Sequence, residues 1–206
     1  MKRKVWLIFT LITISILFWN CNKTNDNPLK PEFSLKTDDA IDNEEYKVYS
    51  AFLSDWNSGQ IVIRQATTTA LSVSMGNTYY ETVKAEISNI DSTVFTDYIA
   101  KNDSVFFLGN PFNIPAKTVS LISEDELNFI FGSKDVNGDW KKFYTLYPNS
   151  NGYIQFSRVG FNATKNQAIF EMGHFYASLG AGGLIVFLKK ENNTWRVVQS
   201  FYTWIS

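Results

Sequence analysis

The strongest constraint on the fold lies near the C-terminus, where four segments rich in apolar residues, Tyr153 to Phe161, Gln167 to Tyr176, Leu184 to Lys190 and Thr194 to Ile205, are separated by polar turns. β-branched and aromatic residues favour extended backbone in such segments. The connections Asn162 to Asn166 and Glu191 to Asn193 are too short for a parallel crossover, so the strands they join are expected to pair antiparallel. The segment Gly180, Ala181, Gly182, Gly183 is expected as a glycine-rich hairpin loop, since it lacks the spacing of a phosphate-cradling loop.

A sheet with an apolar face needs a cover, and the preceding residues supply one. Between Asp42 and Trp56, the residues Tyr46, Val48, Tyr49, Phe52, Leu53 and Trp56 recur at spacings of three and four, which predicts a helix. Asp42 and Glu45 stand at the spacing of a helix start. A second helical stretch is expected from Tyr79 to Ala100, with a break near Ser88 to Ser92. Ile61 to Thr69 and Thr118 to Ile122 read as strands. Ser123 and Glu126 form a capping box ahead of Leu127, Phe129, Ile130 and Phe131. Trp140, Phe143, Tyr144 and Tyr147 mark a last amphipathic segment, stopped by Pro148. Early helices and a late antiparallel β-meander define an α+β domain, and the first expectation within that class is a curved cystatin-like or NTF2-like sheet.

The N-terminus carries a different message. Lys2, Arg3 and Lys4 precede an apolar run from Val5 to Trp19, the layout of a secretory signal. The run is shorter than the roughly 17 to 25 residues of a membrane-crossing helix. The single cysteine, Cys21, follows directly. An exported chain with one thiol has no internal disulfide partner for it, and lipidation would remove that liability. The pattern resembles a bacterial lipoprotein signal, in which the cysteine becomes the acylated first residue. Leu17, Phe18, Trp19 and Asn20 stand where such signals carry a small residue, and an uncleaved anchor with an incidental cysteine is the competing reading. The resemblance implies residues 1–20 as signal peptide, 21–40 as lipidated N-terminus and flexible tether, and 41–206 as one α+β domain. It places the domain in the bacterial cell envelope, outside the cytoplasm and held to a membrane by lipid on Cys21.

Charge excludes one class of partner. The chain has 19 basic and 20 acidic side chains, and cleavage would remove Lys2, Arg3 and Lys4. A mildly acidic surface does not suit nucleic acid, whose binding rests on phosphate neutralisation. No cofactor motif is present. The aromatic content of 16% is read mainly as core, with exposed rings for glycan or peptide stacking as the alternative.

Three residues stand out as pocket candidates. Arg158 and Glu171 face each other in a register whose paired positions sum to 329, which predicts a cross-strand ion pair. His174 is the one histidine, and its pKa range would suit a general base. One imidazole is a weak case for a metal site, and none is expected. The carboxylates Asp38, Asp39, Asp42, Glu44 and Glu45 do not match a calcium loop and read as a solvated helix start.

A longer pattern joins these residues. Tyr147, Pro148, Asn149, Ser150, Asn151 and Gly152, then Ser157, Arg158, Val159, Gly160, Phe161 and Asn162, then Gln167 and Ala168, resemble a motif of uncharacterised bacterial exported proteins. Trp195 and the final Trp204, Ile205 and Ser206 are similar too. The glycine-rich loop of those proteins often carries paired cysteines, which Ala177 to Gly183 lacks. Three functions remain open: noncatalytic binding of an envelope protein or glycan, a hydrolase or lyase with a pocket near Glu171 and His174, and a structural module assembled by its exposed sheet edge. The anchor is tested by mass spectrometry of protein taken from its own membranes. The expected result is loss of residues 1–20 and a diacylated Cys21; a retained leader or a free thiol at that position is the contrary result.

Overall fold

Side chains set where the helices begin in this computed structural model, which describes residues 31–69 and 77–206, with backbone alone over 77–80. The apolar leader and Cys21 lie outside the described residues. The order is α1 (Asn43–Leu53), β1 (Gln60–Arg64), α2 (Asn77–Glu86), α3 (Ser92–Lys101), β2 (Thr118–Ile122), α4 (Glu124–Phe131), α5 (Val136–Leu146), β3 (Tyr153–Phe156), β4 (Gly160–Phe161), β5 (Gln167–Ala177), β6 (Gly180–Glu191) and β7 (Thr194–Ile205). Asp42, Asp91, Ser123 and Asp135 cap α1, α3, α4 and α5 by accepting from the backbone N–H of Glu44, Thr93, Glu126 and Gly138. Each cap satisfies a donor that the first helical turn leaves unpaired. Asn89, with φ of 63°, separates α2 from α3 inside the expected break.

The strands form one mixed sheet in the order β2-β1-β3-β5-β6-β7, with β4 also paired to β5. β1 runs parallel to both β2 and β3, whereas β3, β4, β5, β6 and β7 pair antiparallel. Connection length explains the difference. The β1-to-β2 link contains α2 and α3, and the β2-to-β3 link contains α4 and α5, which is the reach a parallel crossover needs. The class is α+β, as expected, and the C-terminal meander is present. The parallel half β2-β1-β3 was not foreseen, and it makes the sheet depart from a purely antiparallel cystatin-like or NTF2-like arrangement.

Helices cover both faces. On one, Tyr46, Val48, Tyr49 and Leu53 of α1 pack on Ile61, Ile63, Ile154, Phe156, Phe170 and Val186. On the other, α2 and α3 meet Ile169, Ile185 and Phe187, while α4 and α5 meet Val62 and Ile122. Ile61, Val62 and Ile63 are consequently all buried, the continuous apolar run of a strand covered on both sides. Tyr49 stacks on Phe156 at 4.5 Å and meets Phe170 edge-on at 5.4 Å, so α1 is fixed over the middle of the sheet by ring packing.

Three local expectations are corrected. The strand foreseen from Tyr153 to Phe161 is interrupted: β3 pairs with β5 at positions summing to 328, as in Phe156 with Met172, and β4 at 329, as in Gly160 with Ile169. Gly180 to Gly183 is strand, not loop. Its glycines admit a neighbouring ring, because a Cβ at Gly183 would lie 2.0 Å from Nε1 of Trp204. The tether expected to run to residue 40 is tied down before that point. Lys36 N–H donates to Oε1 of Gln65 at 2.9 Å, and Asp39 N–H donates to the Phe107 carbonyl at 2.9 Å. Residues Phe33–Ser206 form one compact unit.

Gly160 is where α3 comes closest to the sheet, since an added Cβ would lie 2.4 Å from Cβ of Tyr98 and 2.5 Å from the Val94 carbonyl oxygen. Gly160→Ala is therefore expected to cost about 1–3 kcal/mol of unfolding free energy through overpacking. Gly59→Ala, with open space at Cβ, is the control. Equal urea midpoints for the two variants would contradict the close approach.

Candidate functional site

The acidic start of α1 is not a solvated cluster. Its carboxylates reach the C-terminal half of the chain. Glu44 accepts from Lys190 at 2.5 Å, Trp195 Nε1 at 2.7 Å and Lys47 at 2.9 Å. Burial disfavours the charged form of Glu44, but these bonds outweigh it and hold the carboxyl at about 2, below its ordinary 4.5. Asp42 takes Lys165 at 2.6 Å.

Glu45 does not close a capping box; it is fully buried and binds Arg158. Nε and Nη2 of Arg158 donate to the two carboxylate oxygens at 2.9 and 2.6 Å, and Val159 N–H adds a third bond at 3.0 Å. The guanidinium lies 4.4 Å from the Phe106 ring centroid. Asn102 clamps the Arg158 backbone, accepting from its N–H at 2.7 Å and donating to its carbonyl at 3.0 Å. The expected ion pair between Arg158 and Glu171 does not form. Ser157 occupies the position opposite Glu171, with its N–H on the Glu171 carbonyl and its hydroxyl accepting from Glu171 N–H at 2.7 Å. The interruption of the strand turns Arg158 out of the ladder toward α1.

The long motif has the same structural meaning. Tyr49 hydroxyl donates to the Ser157 carbonyl at 2.6 Å, and Asp97 accepts from Phe161 N–H at 2.7 Å. Asn162 Oδ1 accepts from Asn166 and Gln167 N–H, closing the turn before β5. Gln167 Oε1 in turn accepts from Asp91 N–H at 2.8 Å, at the start of α3.

His174 and Glu171 are three residues apart on β5 and therefore face opposite sides of the sheet. His174 packs edge-on to Trp56 at 4.9 Å. Its Nε2 lies 2.7 Å from the Asn151 carbonyl, which makes it the donor, while burial pulls its pKa down. Glu171 lies on the other side with Gly173 and Phe175, in a cavity that His174 does not line. These two residues therefore do not share one pocket. Arg158, Glu171 and His174 occupy three separate environments.

Two concavities stand out among the described residues. A groove of about 710 Å³ runs between the outer side of α1, the loop bearing Pro111, Asn113 and Pro115, and the turn between β6 and β7. Among the described residues, its lining carries Lys47 and Arg196 but neither carboxylate nor imidazole. The second is the Glu171 cavity. Each gathers residues from distant segments, so sequence signals only parts of them: Glu171 as a pocket candidate in one, and in the other the turn that ends at Asn193, whose φ of 63° is left-handed. No described helix is long and apolar enough to cross a membrane. The chain matches no family model, no curated protein and no solved structure.

Two outcomes follow from the ion pairs. Glu45→Gln is expected to destabilise by about 3–5 kcal/mol because it strands a buried guanidinium. A Glu45→Leu, Arg158→Met double variant should lose less than either single variant, measured by urea unfolding. For Glu44, a depressed folded pKa adds stability above its ordinary value that is lost as pH falls from about 4.5 to about 2. The unfolding midpoint should fall across that window, and fall less in Glu44→Gln; identical acid profiles would contradict the assignment.

Proposed function

We propose that the protein is a lipid-anchored component of the bacterial cell envelope whose folded domain binds an envelope protein or glycan strand without transforming it. The groove between α1 and the β6–β7 turn carries this reading. It is open, and Asn43, Ser50, Ser54, Asn113 and Thr194 are among its lining residues, side chains that can recognise a ligand by hydrogen bonds. Arg196 gives its lining a positive charge, with Lys47 beside it paired to Glu44, and this suits a polar or anionic segment. The groove belongs to rigid elements, since Glu44 ties α1 to Lys190 and Trp195 directly beneath it. The leader and Cys21 supply the anchor in this proposal, with two acyl chains giving stable attachment.

Full-length protein in nonionic detergent, titrated with fractionated envelope protein and glycan, is expected to recover a saturable partner. Lys47→Glu with Arg196→Glu should weaken that binding by about tenfold, or ~1.4 kcal/mol, whereas Lys134→Glu, in the link between α4 and α5, should not. Binding unchanged by the groove variant, or absent from every fraction, would overturn the proposal.

A further inference from the structure

One end of the sheet is free of charged side chains. In a chain of which 19% of residues are charged, the stretches 143–157, 172–188 and 197–206 contain no Asp, Glu, Lys or Arg. The fold brings part of each to one place, where β5 turns into β6. Tyr153 pairs with Phe175, and Gly182 pairs with both His174 and Ile205. The Tyr144 hydroxyl donates to the Tyr176 carbonyl at 2.8 Å. His174 adds no charge, since burial disfavours its protonated form.

The same end exposes apolar side chains. Leu179, in the turn between β5 and β6, is 86% exposed and Ile205 is 71% exposed, with Tyr176 and Tyr202 exposed beside them. They form one patch: an added Cβ at Gly180 would lie 2.5 Å from the Tyr176 ring, one at Gly182 would lie 3.5 Å from the Tyr202 ring, and Gly182 is the partner of Ile205. Rings with an apolar body and a polar tip, set around a leucine in a hairpin turn, suit the boundary between hydrocarbon and headgroups. Phe129 is exposed elsewhere, but Lys142 Nζ covers it at 3.3 Å from the ring centroid. Backbone pairing sets the depth. Ala181 and Ser206 exchange N–H bonds at 3.3 and 2.9 Å, whereas β7 ends the described sheet and its outer polar groups need water. Only side chains of the turn can enter.

The chain outside the described residues names the occupant. Cys21 precedes Phe33, where the compact unit begins, by 12 positions, and an extended connection of that length spans at most about 40 Å. A domain of this size is itself about 40 Å across. An anchored domain can therefore turn any of its surface to the bilayer, and the surface that costs least to dehydrate decides. We propose that the β5–β6 turn, with Tyr176, Tyr202 and Ile205, docks on the lipid surface with Leu179 beneath the headgroups. This rests on the membrane attachment proposed above and adds the face that meets the lipid. The groove borders the β6–β7 turn, at the other end of a 12-residue strand, about 35 Å away, and so stays open to partners.

The test reconstitutes full-length Leu179→Trp protein in phosphatidylcholine vesicles, with and without lipid brominated near the headgroup end of the acyl chain, the depth of interfacial side chains. Flotation reports attachment, and emission in excess of the unsubstituted chain reports depth. Most of that excess is expected to be lost with brominated lipid, at every protein-to-lipid ratio and without anionic lipid. Val105→Trp, exposed beside the Thr67 contact beyond the far end of β1, should keep its emission. Ile205→Asp added to Leu179→Trp should restore the excess while flotation persists. A chain that does not float overturns attachment and docking together; one that floats with the Leu179→Trp excess unquenched overturns the docking alone. Quenching of Val105→Trp instead, or quenching unmoved by Ile205→Asp, does the same. So does a requirement for phosphatidylglycerol, which would put basic side chains on the lipid, or shielding lost on dilution, which would make a second copy the cover.

Discussion

A fully buried carboxylate and a nearly buried guanidinium meet at the centre of this fold, and the rest of the structure is arranged around keeping them satisfied. Removing both charges from water is costly, and the pair is tolerable because both carboxylate oxygens and Nε and Nη2 of the guanidinium find partners. Glu45 receives both arms of Arg158 and the N–H of Val159. Lys101 stands 3.9 Å from the same carboxylate and donates to the Val159 carbonyl at 3.1 Å. Helix α1, the link between β3 and β4, and the end of α3 are joined at this one point.

The pair also accounts for an irregularity that would otherwise look like a defect. A continuous strand from Tyr153 to Phe161 would direct Arg158 along the β5 ladder. The one-residue change of register between β3 and β4 instead releases Ser157, Arg158 and Val159 from regular pairing. Their backbone groups are taken up by Tyr49, Asn102, Glu45 and Lys101. Gly160 then lets α3 press directly on the resumed strand. The serine, arginine, valine and glycine of the motif each answer one geometric demand of the same junction.

With α1 held in place, the two faces of the sheet acquire different surfaces. On the α1 side, the ties from Glu44 to Lys190 and Trp195 hold α1 against β6 and β7 beside an open groove. On the other, two helical layers, α2 with α3 and α4 with α5, pack over different strands, and the Glu171 cavity lies on the same face. Strand alternation enforces the separation: residues of β5 an odd number apart cannot share a side. His174 and Glu171 are divided by that rule and not by any peculiarity of the site.

Much of this was legible from local pattern alone. The helix starts at Asp42 and Ser123, the break between α2 and α3, the strand Thr118–Ile122 and the antiparallel C-terminal strands all follow from periodicity, capping and turn chemistry, which act over a few residues. The register of β4 was also legible, because the short turn at Asn162 transmits it. The partner of Arg158 was not, since Glu45 lies 113 positions away and spacing says nothing about such a contact. The parallel strands, the role of Gly183 and the convergence of Thr68, Glu171 and Trp204 on one cavity were likewise decided by tertiary structure. Local sequence determines which segments become helix or strand; which side chains then meet depends on how several segments together exclude water and satisfy buried charge.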